Sequence, residues 1–376
     1  MSTLQPHSVA SPAAPSPSPV LPDASGADRA ALATRVGNLV RKVGKGRTLL
    51  KSLDRAEAAD AFALLLGGAF AASQAGAFLQ ALRIKELSRD ELDGMMDCLR
   101  SLQPAAVPRL PAGGFTLNLA SDTPRKGGYA SLLAAATLAR QGVPVGVVRS
   151  EPVLTHNRAS WDGTWALVKT LAGAGGASGV SAPCDHADHQ EDEACDHGQP
   201  PASLCVVDAN DLVPPLRSLR TIRGELGFRS CLHTAEKLLN PWTEKPLVLG
   251  ISHLHYAERM CDHFARRGLT AKILLGNHGT TDLVLHKETE VWEVLPGGTV
   301  RTVWFHPDDL GLKPDASLYT LGSFADWAAQ WAQPGHGALG PVLAYHLAFL
   351  RYVIGAAGAA VPRTVPPSPS SAGGHA

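Results

Sequence analysis

The chain lacks a net charge: Lys plus Arg number 34, and so do Asp plus Glu. Charge summed over the molecule therefore gives no case for nucleic acid, a membrane surface or acidic partners, and any electrostatic argument must be local. Cysteine pairing is missing too. Cys98, Cys184, Cys195, Cys205, Cys231 and Cys261 form no CxxC pair and show no regular spacing, and a chain of 376 residues needs no disulfide staples. A reducing cytoplasm fits that usage. No Lys or Arg precedes Arg29 and no continuous apolar stretch opens the chain, so neither a secretory signal nor an Arg-rich transit peptide is expected. The most apolar late run, LAYHLAFLRYVIGAAGAAV, is interrupted by His346 and Arg351 and reads as a packed helix, not a membrane span. Solenoid-length repeats and Walker or dinucleotide motifs are also lacking.

Residues 1–27 and 361–376 are rich in Pro, Ser and Ala, with too little apolar content to fold, and are expected to be disordered tails. Residues 28–105 read as a helical domain. Asp54 with Glu57, and Ser88 with Glu91, each supply a cap and a reciprocal carboxylate three positions on, and Ser73 is placed to cap the helix between them. Phe62, Leu65 and Leu66, then Phe78, Ala81 and Leu82, then Leu92, Met95, Met96 and Leu99 recur at helical spacing, enough for three helices around one small core.

The period changes at 106–360. FTLNLA, VPVGVV, SLCVVDA, LVLGIS and AKILLG are short β-rich runs mostly separated by helical segments. The expected fold is α/β: a small helical domain, then a larger domain whose mostly parallel sheet is flanked by helices. Two later runs joined around Pro296, Gly297 and Gly298 predict a hairpin, and two closing helices are expected at Ser323 to Ala332 and about Ala338 to Ala357.

In such a sheet, ligands sit beyond the carboxyl ends of the strands, where turns feed helix N-termini. The turn Ser121 to Gly128 lies there. Arg125 and Lys126 bring charge, and Gly127 with Gly128 would let the backbone approach a phosphate; the same residues also suit a Pro-containing surface turn. The next such turn carries His156, Asn157, Arg158 and Ser160 before a helix predicted to start near Asp162, either as phosphate ligands or as a polar loop whose Ser160 or Asp162 caps the helix. Within the insert 178–203, Ser181 to Ser203 holds six carboxylates together with His186, His189, His197, Cys184 and Cys195, all metal-ligand types but without zinc-ribbon or finger spacing. A disordered acidic insertion is the plainer reading. Arg35, Arg41, Lys42, Lys45, Arg47 and Lys51 fall between Ala30 and Ser52 without one acid, which suits contact with nucleic acid or an ordinary solvated face. Arg220, Arg223 and Arg229 lie close to a helix end, where one could clamp a carboxylate.

From about Val36 to Leu312 these segments resemble the anthranilate phosphoribosyltransferase family, glycosyltransferase family 3. LDRAEAADAFALLLGGAFAASQAGAFLQALRIKELSRDELDGMM is similar to that family's N-terminal domain, IRGELGFRS with LLNP to its acceptor-binding stretch, THNRAS to its H-G-N-R-A run, and LLGNHGTTDLVLHKETEVWEVLPGG to its metal-associated segment. The resemblance implies a homodimer through the helices and transfer of phosphoribose from phosphoribosyl pyrophosphate, a phosphorylated small molecule, with Mg2+. With a donor of that kind, the phosphate-binding candidates are Arg125, Lys126, Gly127, Gly128, His156, Asn157, Arg158 and Ser160, while the resemblance places acceptor binding on Arg223 and metal binding on Asp282. The departures are equally specific. G-T-G-G-D is replaced by SDTPRKGG, the adjacent Asp and Glu become Asp282 and Leu283 after Thr281, and GPLTNP becomes EKLLNP. This pattern, with VGKGR early in the chain, resembles a divergent branch lacking tryptophan-pathway activity, some of whose members bind nucleic acid as dimers. Two functions follow as expectations: transfer of phosphoribose to an acceptor other than anthranilate, or binding of nucleic acid or a phosphorylated ligand without turnover, through Arg41, Lys42, Lys45 and Arg47.

Overall fold

The computed structural model describes residues 26–45, 49, 51–104, 107–120, 127–150, 155–173, 180–181, 203–227, 230–314 and 324–364; for 26–27, 155–159, 172–173, 180–181, 218–221 and 223 it describes the backbone alone. Four helices come first: α1 (Gly26–Gly44), α2 (Arg55–Leu66), α3 (Ala72–Lys85) and α4 (Arg89–Ser101). Both predicted capping boxes are present. The Asp54 carboxylate accepts from the Glu57 N–H while Glu57 reaches back to the Asp54 N–H, and Ser88 with Glu91 repeats the arrangement on α4. Ser73 is not a cap. Helix α3 begins at Ala72, and the Gln74 side chain, not a Ser73 hydroxyl, satisfies the exposed Ala71 N–H. Phe62 and Phe78 are fully buried and meet edge to face, each worth about 2–3 kcal/mol of apolar burial.

The rest of the chain runs β1 (Phe115–Asn118), α5 (Ala130–Arg140), β2 (Val145–Arg149), α6 (Thr155–Gly173), β3 (Val180–Ser181), β4 (Leu204–Asp208), α7 (Ala209–Leu212), α8 (Leu216–Leu226), α9 (Leu232–Leu238), β5 (Leu247–Gly250), α10 (Leu254–Arg266), β6 (Ala271–Leu274), β7 (Thr289–Val294), β8 (Val300–Phe305), α11 (Phe324–Trp331) and α12 (Leu339–Val353). The strands form one sheet in the order β3-β4-β2-β1-β5-β6-β7-β8. The first six are parallel; β7 and β8 are the antiparallel hairpin, turning at Gly297 (φ 82°) and Gly298 (φ 80°), backbone that favours glycine. The fold is therefore α/β, with a helical N-terminal region and a larger, mostly parallel sheet flanked by helices.

Alternation along the strands divides the core. Leu247 and Leu249 join the helical bundle, α9 and α10 on one face, whereas Val248 joins α5, α6 and α12 on the other. An ionic network ties the bundle to α10. Asp93 of α4, 2% exposed, accepts from His263 (2.7 Å) and is paired with Arg266; Asp97 is bridged by Arg267 at 2.7 Å and Arg55 at 2.5 Å. Burial alone would raise the Asp93 carboxyl, but the His263 and Arg266 hydrogen bonds outweigh it and hold it at about 2, while burial lowers His263.

Candidate functional site

From β1 the chain crosses through α5 to β2, and from β5 it crosses through α10 to β6; these helices lie on opposite faces, so the connections diverge between β1 and β5. A crevice opens at the carboxyl ends of two such strands, the usual ligand position in open parallel sheets. Here α9 reaches into it. The Asn118 side chain, at the end of β1, donates to the carbonyls of Glu236 (2.8 Å) and Leu239 (3.0 Å). Lys237 donates to the carbonyls of Gly250 (2.8 Å) and Gly279 (3.0 Å), and the Glu236 carboxylate accepts from Ser150 at 2.7 Å just beyond β2. Glu236 and Lys237 are both buried, so their large charged side chains occupy space that a Gly-Pro pair would leave open.

The turn into α5 is closed by side chains. Asp282, fully buried, accepts through Oδ1 from the Ser131 N–H (2.9 Å) and the Ser131 hydroxyl (2.6 Å), and the Tyr129 N–H donates to Thr164 at 3.1 Å. A carboxylate thus already stands at the α5 N-terminus, where the partial positive charge of the helix favours an anion. Next to it, Leu283 lies in the core, and its N–H donates to His346 Nε2 at 3.0 Å. His346 Nδ1 lies 2.8 Å from the Val342 carbonyl, so its N–H belongs there and the ring is neutral. Gly128 is buried, and a Cβ on it would run into the Trp327 ring, so packing alone requires glycine there. Gly127 is buried beside it. Arg125 and Lys126 lie outside the described residues.

The turn into α6 differs from the sequence expectation. The helix begins at Thr155, not near Asp162, so His156, Asn157 and Arg158 are in its first turn at the carboxyl end of β2. Starting there places Trp161, Thr164, Trp165 and Val168 on one buried face, and the spacing of those residues outweighs the capping potential of Asp162, which faces solvent. Ser160 is 1% exposed and its carbonyl accepts from Thr164. Beside this turn, Arg149 pairs with Asp208 at 3.0 Å, across the register of β2 and β4, and lies 5.4 Å over Trp161. The sequence reading did not single out Arg149, Asp208, Glu236 or Lys237; the only signal was their position at strand ends or within EKLLNP.

Arg223 lies on α8. In the basic run, Lys42 pairs with Glu57, Arg35 with Asp60 at 2.5 Å, and Arg41 donates to Asn38 at 2.6 Å; Lys45 is exposed. Arg47 and the insert's His186, His189, His197, Cys184 and Cys195 lie outside the described residues. Among the described residues no group of three His, Cys, Asp or Glu side chains is arranged to hold a metal, and no helix is long and apolar enough to cross a membrane.

Comparison with known proteins gives a consistent family. Residues 38–102 match the helical bundle domain of the glycosyl transferase family and residues 186–328 its α/β domain. The anthranilate phosphoribosyltransferase of Desulforudis audaxviator is 28% identical over 308 residues, 77% of this chain and 79% of that protein. The match to the enzyme of the same name from Corynebacterium glutamicum is 27% over 108 residues and spans only 30% of that relative's length and 29% of this chain. The solved anthranilate phosphoribosyltransferase of Thermus thermophilus superposes with a TM-score of 0.62 at 21% identity, covering 85% of this chain and 89% of that one. The Saccharomyces cerevisiae enzyme in complex with PRPP and Mg gives 0.60 at 14% identity, covering 87% and 90%. At these identities the superpositions establish the shared fold.

Proposed function

Because the chain belongs to glycosyltransferase family 3, the anthranilate phosphoribosyltransferase-like family, we propose that it is a phosphoribosyltransferase-type transferase that moves phosphoribose from phosphoribosyl pyrophosphate to an acceptor other than anthranilate. The observation that carries this reading is the start of α6. Its first turn sets Asn157 and Arg158 at the carboxyl end of β2, while the corresponding position on α5 is already taken by Asp282. The donor's phosphates are therefore held at the β2–α6 turn, by the N-terminal N–H groups of α6 and by Arg158, with His156, Asn157 and Ser160 around them and Arg125, Lys126, Gly127 and Gly128 from the neighbouring turn. Arg223 orients an acidic group of the acceptor. Glu236 and Lys237 in the crevice speak against anthranilate itself, because they fill space and add a carboxylate where the family motif has Gly-Pro.

Magnesium does not fit the described side chains as a metal held by the protein alone. Asp282 has both hydrogen bonds from Ser131 on one oxygen, and its neighbour is the core residue Leu283. Mg2+ binds readily through substrate phosphates with few protein ligands, so it enters as part of the donor. The chain's own groups then do the chemistry of placement: they hold the leaving pyrophosphate, exclude water and fix the acceptor in line with the anomeric carbon. Residues 28–105 and 106–360 serve as the two domains of a cytoplasmic homodimer that pairs through the helical domain, an arrangement supported by the largely exposed surface of α1.

Calorimetric titration of phosphoribosyl pyrophosphate, with and without Mg2+, tests this reading. Saturable donor binding that weakens at least tenfold in Arg158→Ala is expected; unaltered binding in that variant, or anthranilate turnover like that of ordinary family members, would overturn it. A second reading, a non-catalytic protein that binds nucleic acid, is favoured by exposed Lys45 within the basic run. It requires DNA affinity that falls steeply with salt and a salt slope that flattens when Arg41, Lys42, Lys45 and Arg47 are changed to Ala.

A further inference from the structure

The chain passes from the helical bundle to the sheet through a proline-rich linker, of which residues 107–114 are described. Pro108 and Pro111 have no N–H to give. Among the described residues, none from Val107 to Gly113 takes part in a backbone–backbone hydrogen bond. The segment is nevertheless anchored. We propose that the loop Asn240 to Lys245, between α9 and β5, is a releasable clip on this linker. While Trp242 and Lys245 grip it, the crossing from bundle to sheet is fixed, and it slackens only when they let go. The clip is independent of the transferase reading.

Two side chains grip three linker carbonyls. The Trp242 indole Nε1–H donates to the Pro108 carbonyl at 2.8 Å, and the Lys245 ammonium donates to the carbonyls of Pro111, at 2.5 Å, and of Gly113. Lys245 is 1% exposed, and the acid paired with it, Glu244 at 3.9 Å, is a largely exposed side chain. A buried ammonium needs its donors satisfied, and here the linker's carbonyls stand in for water. Because the donor is charged, Lys245 holds the linker more tightly than a neutral group would.

The loop side of this contact is braced without the linker. Asn240 Oδ1 accepts from the Trp242 N–H at 3.1 Å, the Asn240 amide donates to the Lys245 carbonyl at 3.2 Å, and the Lys245 N–H donates to the Trp242 carbonyl at 2.9 Å. The Trp242 ring sits on β2 at Gly146, where a Cβ would come within 2.3 Å of it, so the ring lies directly against the sheet backbone. The linker side has no such bracing: Val107 and Leu110 are only partly buried against the core, and Pro108, Arg109, Ala112 and Gly113 are exposed. Strain on the crossing therefore parts the linker from the clip before it parts the clip from the sheet, a local opening that costs less than unfolding. Arg109 lies between the grip points at Pro108 and Pro111, so the Arg109–Leu110 bond reports that opening as a site for trypsin.

Limited trypsin digestion of the full chain in native buffer, with fragments assigned by mass spectrometry, tests the clip. Cleavage after Arg109 is the readout. Cleavage after Lys272, inside β6 and 8% exposed, is the control, because it requires the sheet to unfold. Lys245→Met removes the ammonium and keeps an apolar stem; Trp242→Phe removes the indole N–H and keeps a ring against Gly146. Wild type should be cut after Arg109 at least tenfold more slowly than a free peptide of residues 104–115. Lys245→Met should speed that cut at least tenfold and Trp242→Phe about threefold, each with a smaller change at Lys272. The proposal is overturned if wild type is cut after Arg109 as fast as the peptide, or if neither variant speeds the cut. It is also overturned if cleavage after Lys272 rises by the same factor, since general destabilisation would then account for the change. Should Lys245→Met not fold, Trp242→Phe decides by the same criteria.

Discussion

Asp282 offers the sharpest test, because two roles for one carboxylate predict opposite results. In the structure it caps α5: its Oδ1 accepts from the Ser131 N–H and hydroxyl, and both residues are buried. In Asp282→Ala the Ser131 hydroxyl still has Thr281 at 2.8 Å, but the N–H loses its partner. An orphaned buried N–H costs about 1–3 kcal/mol, and losing a buried negative charge from a helix N-terminus adds about 1 kcal/mol. The sum, about 3 kcal/mol, corresponds to a fall of roughly 6–12 °C in melting temperature for a folded unit of some 200 residues. Asp282→Asn keeps an acceptor and should lose only the charge contribution, about 1 kcal/mol. Thermal and urea melts of the three proteins, without ligand, supply the comparison. Should Asp282→Ala melt with wild type and lose only magnesium-dependent donor binding, the capping argument is wrong and the side chain is a metal ligand.

Gly128→Ala drives a methyl group into the buried Trp327 ring and should destabilise by about 1–3 kcal/mol; a second change, Trp327→Leu, should recover part of that loss in a urea melt. Stability should also decline in two steps on acidification. His263 titrates below its ordinary value when folded, so the unfolded chain takes up the proton first; the contribution of the neutral ring is complete above about pH 6.5 and is lost as pH falls below it. Asp93, held at about 2, contributes stability that is present above about pH 4 and is lost as pH falls toward 2. Urea midpoints measured from pH 8 to 3 should show both declines; His263→Gln should abolish the first and, because His263 is one of the two groups that hold Asp93 down, should also shrink the second.

Local features were readable from the sequence. The capping boxes at Asp54 and Ser88 involve residues three apart, and the β-rich runs and the Pro-Gly-Gly turn are each complete within a few positions. What could not be read was what long-range packing decides. The Asp282 bond to Ser131 joins residues 151 apart, and nothing near Gly128 in the sequence announces Trp327. The start of α6 is hidden from local rules for a related reason: Ser160 and Asp162 are chemically good caps, but the helix extends back to Thr155 with Trp161 and Trp165 packed on one face. Loss of the second acid was visible as Leu283; that the position had been absorbed into the core was not.

The contacts of Asp93 and Asp97 with α10 bear on how a ligand is enclosed. Swinging the bundle away from the sheet as a rigid body would pull a nearly dry carboxylate off His263 and Arg266 and strip Asp97 of Arg267. Separating buried charges in that manner is costly. A ligand reaching the strand ends therefore meets a bundle and an α10 that are latched together by these pairs, and a jaw-like swing of the bundle is opposed by the cost of breaking them.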